Sequence, residues 1–308
     1  MKENTIGPLK AWTLFILLAL TWGSSFILMK RGLESFSYGQ IGFIRIATAW
    51  LFTLLVALNR FKKYERKYLW ALVAVGFFGN GIPYVLFPLA VTKLDSSLVG
   101  ILNSLVPLFT LMIGLIWFKI KVSWIGALGI AAGFAGALWL LLPDLQVDFD
   151  RLSYGIYPII ATVCYAISIN VINSKLPGLD ALSITLLSLT AVGPLALGYL
   201  FTTDFLEVMQ SAPAAWESLG YISLLGIVGS SLAIIVFNIL IKGTTSLFAA
   251  SVTYAIPLVA LLWGVWDGES IGPEHLGGML CILAGVYLVN FKGSPAERIR
   301  KRRLKKEA

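Results

Sequence analysis

Two stretches, SSLVGILNSLVPLFTLMIG at Ser96–Gly114 and SLFAASVTYAIPLVALLWG at Ser246–Gly264, stand 150 positions apart and share a serine, a proline and a glycine at matching places. At the same offset Gly76 falls on Gly226 and Gly79 on Gly229; with two residues inserted, Gly126, Ala132 and Gly133 fall on Gly278, Ala284 and Gly285. A fixed offset sustained over that much sequence marks an internal duplication. Neither stretch contains a charge, and a helix rising about 1.5 Å per residue needs about 20 such residues to cross the hydrocarbon layer. The duplicated unit is therefore a set of membrane-spanning helices.

The rest of the chain fits that reading. Of its 308 residues 58% are hydrophobic and 13% charged, about half the charged share of a soluble domain. Uncharged runs cover Ala11–Met29, Tyr68–Thr92, Ser96–Phe118, Val122–Pro143, Leu152–Ser174, Ala181–Thr203, Ser218–Ile241, Gly243–Trp266 and Leu276–Phe291, the last extended back towards Ile271. A tenth run, Ser35–Asn59, holds one charge, Arg45. Open strands would leave backbone groups unpaired in lipid, and the runs lack the alternation of a barrel. The fold class is an all-α integral membrane protein of ten transmembrane helices. Residues 1–146 and 147–292 form two five-helix repeats, and 293–308 form a basic tail.

Five is odd, so the second repeat enters the membrane from the opposite side, an inverted topology of the kind found in transporters. With both termini cytoplasmic, 19 of the 24 Lys and Arg residues fall inside, and only Lys30, Arg31, Lys93 and Arg151 fall outside, as the positive-inside rule requires. Lys119 after the fourth span corresponds to Glu269 after the ninth, the exchange expected when duplicated sequence is re-oriented. The first span is longer than a secretory h-region and reads as retained. The net charge of +8 sits in short gaps and in the tail, not on a folded polar face, so nucleic acid is not an expected partner.

The chain resembles the ten-helix EamA-type members of the drug/metabolite transporter superfamily. The likeness runs from Trp22-Gly23-Ser24-Ser25-Phe26 in the first span to the Gly- and Ala-bearing last one, and includes Pro257 followed by Gly268-Glu269. The first half departs from the pattern at Phe118-Lys119. The resemblance implies two helical halves rocking around a central cavity, exporting small metabolites, amino acids or drugs, in a plasma (bacterial inner) membrane.

The residues themselves point to the bilayer midplane. Pro107 and Pro257 lie about eleven residues into their spans, and each frees the carbonyl four residues earlier, those of Asn103 and Thr253. A polar backbone group beside a polar side chain at matching depth favours a binding site, although such prolines also serve simply to kink helices for packing. Trp22 and Tyr165 are matched at an offset of 143, with Ser25 and Asn170 as polar company. Asn80 and Tyr84 share a helix face with Gly76 and Pro88. Tyr254, beside Thr253, completes the candidate substrate-binding set, with Pro88, Pro107 and Pro257 as kinks. Arg45 lies about 9 Å into its span; it either snorkels to the interface or contacts an anion in an aqueous cavity.

No Asp or Glu occupies the middle of any span, which disfavours organic cations and favours neutral, zwitterionic or anionic metabolites. Several inward-facing cations would suit a nucleotide-sugar or sugar-phosphate carrier, and only Arg45 is a clear one. A membrane-embedded enzyme such as a lipid-modifying transferase should show a catalytic dyad or His-Asp cluster, and none occurs. Cys164, Cys281 and the single histidine, His275, give no metal site or disulfide framework, so no metal or cofactor is expected. Glycines 126, 129, 133 and 136, like Gly277, Gly278 and Gly285, form small-residue faces for close contacts within the fold or between subunits. The expected partners are a small-molecule substrate and membrane lipids, and the chain is compatible with a monomer or a homodimer.

Overall fold

A computed structural model describes residues 6–118, 124–147, 153–243 and 252–290. The basic tail, Lys119, Lys121, Arg151 and Ser246 lie outside the described residues. All regular structure described is helical. Among the described residues, eight helices are long and apolar enough to span a membrane: α1 (Pro8–Gly32), α2 (Tyr38–Lys63), α3 (Arg66–Val91), α4 (Ser96–Trp117), α5 (Trp124–Leu141), α6 (Ile156–Lys175), α7 (Ala181–Leu200) and α8 (Ala215–Phe237). Two further apolar helices, α9 (Val252–Trp266) and α10 (Pro273–Leu288), are shorter over the described residues. The chain is thus a multi-pass integral membrane protein.

Local chemistry sets the helix ends. Ser37 accepts from the Gln40 amide while the Gln40 side chain accepts from Ser37 N, a capping box that opens α2. Asp180 accepts from Ser183 N at 3.1 Å and opens α7. Pro273 begins α10 where its missing N–H is no loss. Trp12, Trp70, Trp124, Trp216 and Trp266 are all exposed, as interfacial aromatics should be.

Equivalent helices of the two halves meet antiparallel. Along α5 and α10 a Cβ placed on Gly136 would lie 2.7 Å from the Gly278 carbonyl oxygen, and one on Gly285 would lie 2.5 Å from that of Gly129. The two glycine faces therefore pack on each other within the fold, which resolves the alternative between internal and intersubunit contact for those positions. Along α4 and α9 the same small-residue logic puts Gly100 against Ala260 and Gly264 against Ser97. On α2 and α7, Trp50 lies over Gly193, its own counterpart at the 143-residue offset, and its indole donates to Thr190 Oγ1 at 3.2 Å.

The helices around the centre are broken where those at the α5–α10 seam are continuous. In α3 a wide π-turn at Phe77–Gly81 separates Leu69–Gly76 from Ile82–Val91. In α8 the matching place, Leu225–Leu232, is wound the same way. Such turns insert one residue, rotating the later part of the helix by about 100°. That corrects the expected face: Gly76 packs against Ser188 and Ala191 of α7, whereas Asn80 and Tyr84 turn to the centre. In α4 a tight 3₁₀ turn at Asn103–Leu105 falls just ahead of Pro107, where the proline removes the helical bond. In α1 the helix is interrupted at Ser24, whose hydroxyl donates to Leu20 O and accepts from the Trp263 indole.

Candidate functional site

These breaks surround a central cavity of about 370 Å³, within the range of small-ligand sites. The structure brings Trp22, Ser25, Arg45, Asn80, Tyr84, Asn103, Pro107, Tyr165 and Thr253 to its wall. Asn170 is not among them: its amide donates to Thr110 O at 3.0 Å and to Ala166 O at 2.9 Å, tying α6 to α4. Nor do Tyr254, Pro88 or Pro257 line the cavity, Pro88 and Pro257 being buried in their helices. The wall also holds Ser168, a polar neighbour of Tyr165 on the same helix, and Ser104, Ser230 and Phe87, which the sequence does not single out. An offset of 150 from Asn80 gives Ser230, so the repeat itself carries that signal.

Arg45 does not snorkel. The residue is 6% exposed, its guanidinium carbon sits 3.6 Å from the centroid of the Tyr84 ring, and its Nε donates to Ser230 Oγ at 3.3 Å. Tyr84 in turn shares a 2.9 Å hydroxyl contact with Ser230. The ring face supplies cation–π stabilisation, worth about 2 kcal/mol when desolvated. No carboxylate among the described residues pairs with this guanidinium, and its terminal nitrogens have no hydrogen-bond partner there. A guanidinium carries five N–H donors, and among the described residues only Nε is engaged. The charge is one-sided. Gly226 packs on the Arg45 backbone as Gly76 packs on that of Ser188, so Ser188 is the counterpart of Arg45 in the second half, and it does not line the cavity.

The remaining lining is aromatic and hydroxylic. Tyr165 stacks on Phe87 at 5.7 Å. The Trp22 indole donates at 3.1 Å to the Gly229 carbonyl, a group inside the α8 π-turn, so a first-half aromatic is tied to second-half backbone. Ser104 is buried, and its hydroxyl has no partner among the described residues.

At the end of the cavity helices where α1 and α9 finish and α4 begins, a cluster of charges joins the two halves. Glu269, with a side chain 2% exposed, accepts at Oε1 from Ser96 N (2.9 Å), Ser96 Oγ (2.7 Å) and Lys30 Nζ (2.9 Å), and at Oε2 from Ser97 N (3.1 Å). Burial alone would raise its pKa; the hydrogen bonds from Ser97, Lys30 and Ser96 outweigh it and hold the carboxyl at about 2. Asp267 pairs with Lys30 at 2.5 Å and with Arg31. Gly268 explains how Glu269 reaches this place: its φ of +80° turns the chain back after α9, and Glu269 N then donates to Gly264 O at 2.9 Å, a left-handed helix stop that favours glycine.

The EamA-like transporter family profile matches the chain twice, over residues 9–142 and 153–291. The chain belongs to that family. It is 25% identical over 285 residues to an uncharacterized transporter of Archaeoglobus fulgidus, covering 91% of this chain and 99% of the relative. A solved crystal structure superposes with a TM-score of 0.58 at 14% identity, covering 92% of this chain and 98% of the other, a likeness of fold alone. This EamA protein is therefore a family transporter in architecture, with its polar groups gathered at helix breaks.

Proposed function

We propose that this EamA protein is an alternating-access exporter of small metabolites bearing one negative group, amino acids among them, taken up from the cytoplasm. The observation that carries the reading is Arg45, buried on the wall of the central cavity with open guanidinium donors. One lining cation suits one carboxylate; a sugar phosphate or nucleotide sugar calls for more positive charge. The two halves, 1–146 and 147–292, are the rocking units. The protein sits in the plasma membrane with its termini inside, and it acts as a carrier, not as an enzyme.

The Lys30–Glu269–Ser96 cluster is the outer gate in this reading. It pins the half-helix that precedes the Asn103–Leu105 break, so releasing it frees that segment to pivot beside the cavity. Proteoliposome counterflow tests the proposal. Amino acids loaded on one side should accelerate entry of labelled amino acid from the other, and Arg45→Gln should abolish the effect. Counterflow of organic cations that survives Arg45→Gln would overturn it.

A further inference from the structure

A second and larger cavity, of about 620 Å³, shares no lining residue with the central one. It lies between the end of α2, the turn before α7 and the flank of α8, whose helix continues to Gly243. Its mouth carries Arg60, Lys63 and Asp180; its wall is Leu179, Leu182, Ile235 and Ile239. Lys63 Nζ stands 2.6 Å and Arg60 Nη1 3.4 Å from Asp180 Oδ2, with all three side chains about one-third to one-half exposed. Asp180 does not depend on them alone, since Ser183 donates to it from both N and Oγ. The two cations can therefore turn to another anion without stranding the carboxylate, and the trio carries a net positive charge.

We propose that this groove binds one anionic phospholipid of the inner leaflet, its phosphate on Arg60 and Lys63 and an acyl chain along Ile235 and Ile239. Charge and shape argue for an amphiphile together. A free anion has no use for an isoleucine wall on a membrane helix, and in a zwitterionic lipid the ammonium offsets the phosphate that the cationic pair would hold. The adjoining segment adds Lys62 and Arg66, while Lys67 pairs with Glu65 at 2.7 Å, and the distribution of cations along the chain puts this end on the cytoplasmic side, where basic pockets between helices meet anionic headgroups.

The test uses the full chain in detergent micelles, titrated with phosphatidylglycerol, phosphatidylcholine or inorganic phosphate, and read by thermal unfolding and by native mass spectrometry. Phosphatidylglycerol should raise the melting temperature and be retained as one tightly held copy, whereas phosphatidylcholine should do neither. The Arg60→Gln/Lys63→Gln double variant should weaken retention at least tenfold. Ile239→Trp, which fills the apolar wall and leaves the polar trio in place, should do the same. Lys67→Gln, outside the groove, should bind as the unaltered protein does. Equal retention of both lipids, unchanged binding in the double variant or in Ile239→Trp, or an equal loss in Lys67→Gln would overturn the proposal. So would inorganic phosphate stabilising the protein as strongly as the lipid, which would assign the cations to a free anion.

Discussion

The α5–α10 seam and the helices around the central cavity come from the same duplication, yet they behave as opposites. At the seam, continuous helices approach until glycine meets backbone carbonyl, and close approach of this kind lets van der Waals packing hold membrane helices together. Around the cavity, α1, α3, α4 and α8 are interrupted; the Trp22 indole reaches across to the Gly229 carbonyl in the α8 turn, and at the α1 break Ser24 Oγ donates to Leu20 O and accepts from the Trp263 indole. One region is a hinge-free clamp between the halves, the other a set of segments held by a few polar contacts. A carrier needs both, because rigid bodies must move about a point where the packing tolerates two arrangements.

The largest effect is expected at the seam. Gly285→Leu drives a side chain into the Gly129 carbonyl and should cost about 3 kcal/mol or more, seen as loss of the monodisperse folded species on size exclusion. Gly198→Leu, with nothing within 4 Å of its Cβ, should leave that species intact. At the cavity the same measurement should show little change for Arg45→Gln while transport of carboxylate substrates falls by about a hundredfold, the order expected for removing a buried charge partner.

The Glu269 cluster gives an intermediate effect with a defined pH sign. Glu269 is held at about 2 against an ordinary 4.5, a depression worth about 3 kcal/mol to the folded arrangement. A depressed carboxyl contributes in full above 4.5 and loses its contribution as pH falls towards 2. The melting temperature should therefore be flat from pH 8 to 5 and drop below about 4.5; Glu269→Gln should lower the plateau and flatten the acid limb. An acid limb unchanged by Glu269→Gln would show that this carboxylate does not hold the two halves together. The smallest effect belongs to Ser104→Ala. Its hydroxyl has no partner to lose among the described residues, so stability should be unchanged or slightly raised, while a substrate that bonds it should bind about tenfold more weakly by thermal shift.

Much of the cavity is legible in the sequence because backbone chemistry is local. Pro107 announces a break four residues upstream wherever it sits in a helix, and Asn103 lies in that break on the cavity wall. The offset of 143 pairs Trp22 with Tyr165, and both line the cavity. Asn170 departs from expectation because a polar residue in an apolar span satisfies itself on whichever carbonyl the neighbouring helix presents, and that neighbour is α4. The π-turns of α3 and α8 leave no pattern to read: the residues around them are apolar or small on all sides, so hydrophobic periodicity is silent about register.

From the sequence alone came the apolar spans, the duplication with its inversion, the isolated arginine and the lack of any mid-span carboxylate, since each follows from residue type counted along the chain. Only the tertiary structure decided that Arg45 turns inward onto Tyr84, that Gly268 swings Glu269 onto Ser96, and that the two glycine faces close on each other. Each joins residues from distant parts of the chain, where the partner is chosen by how the helices pack.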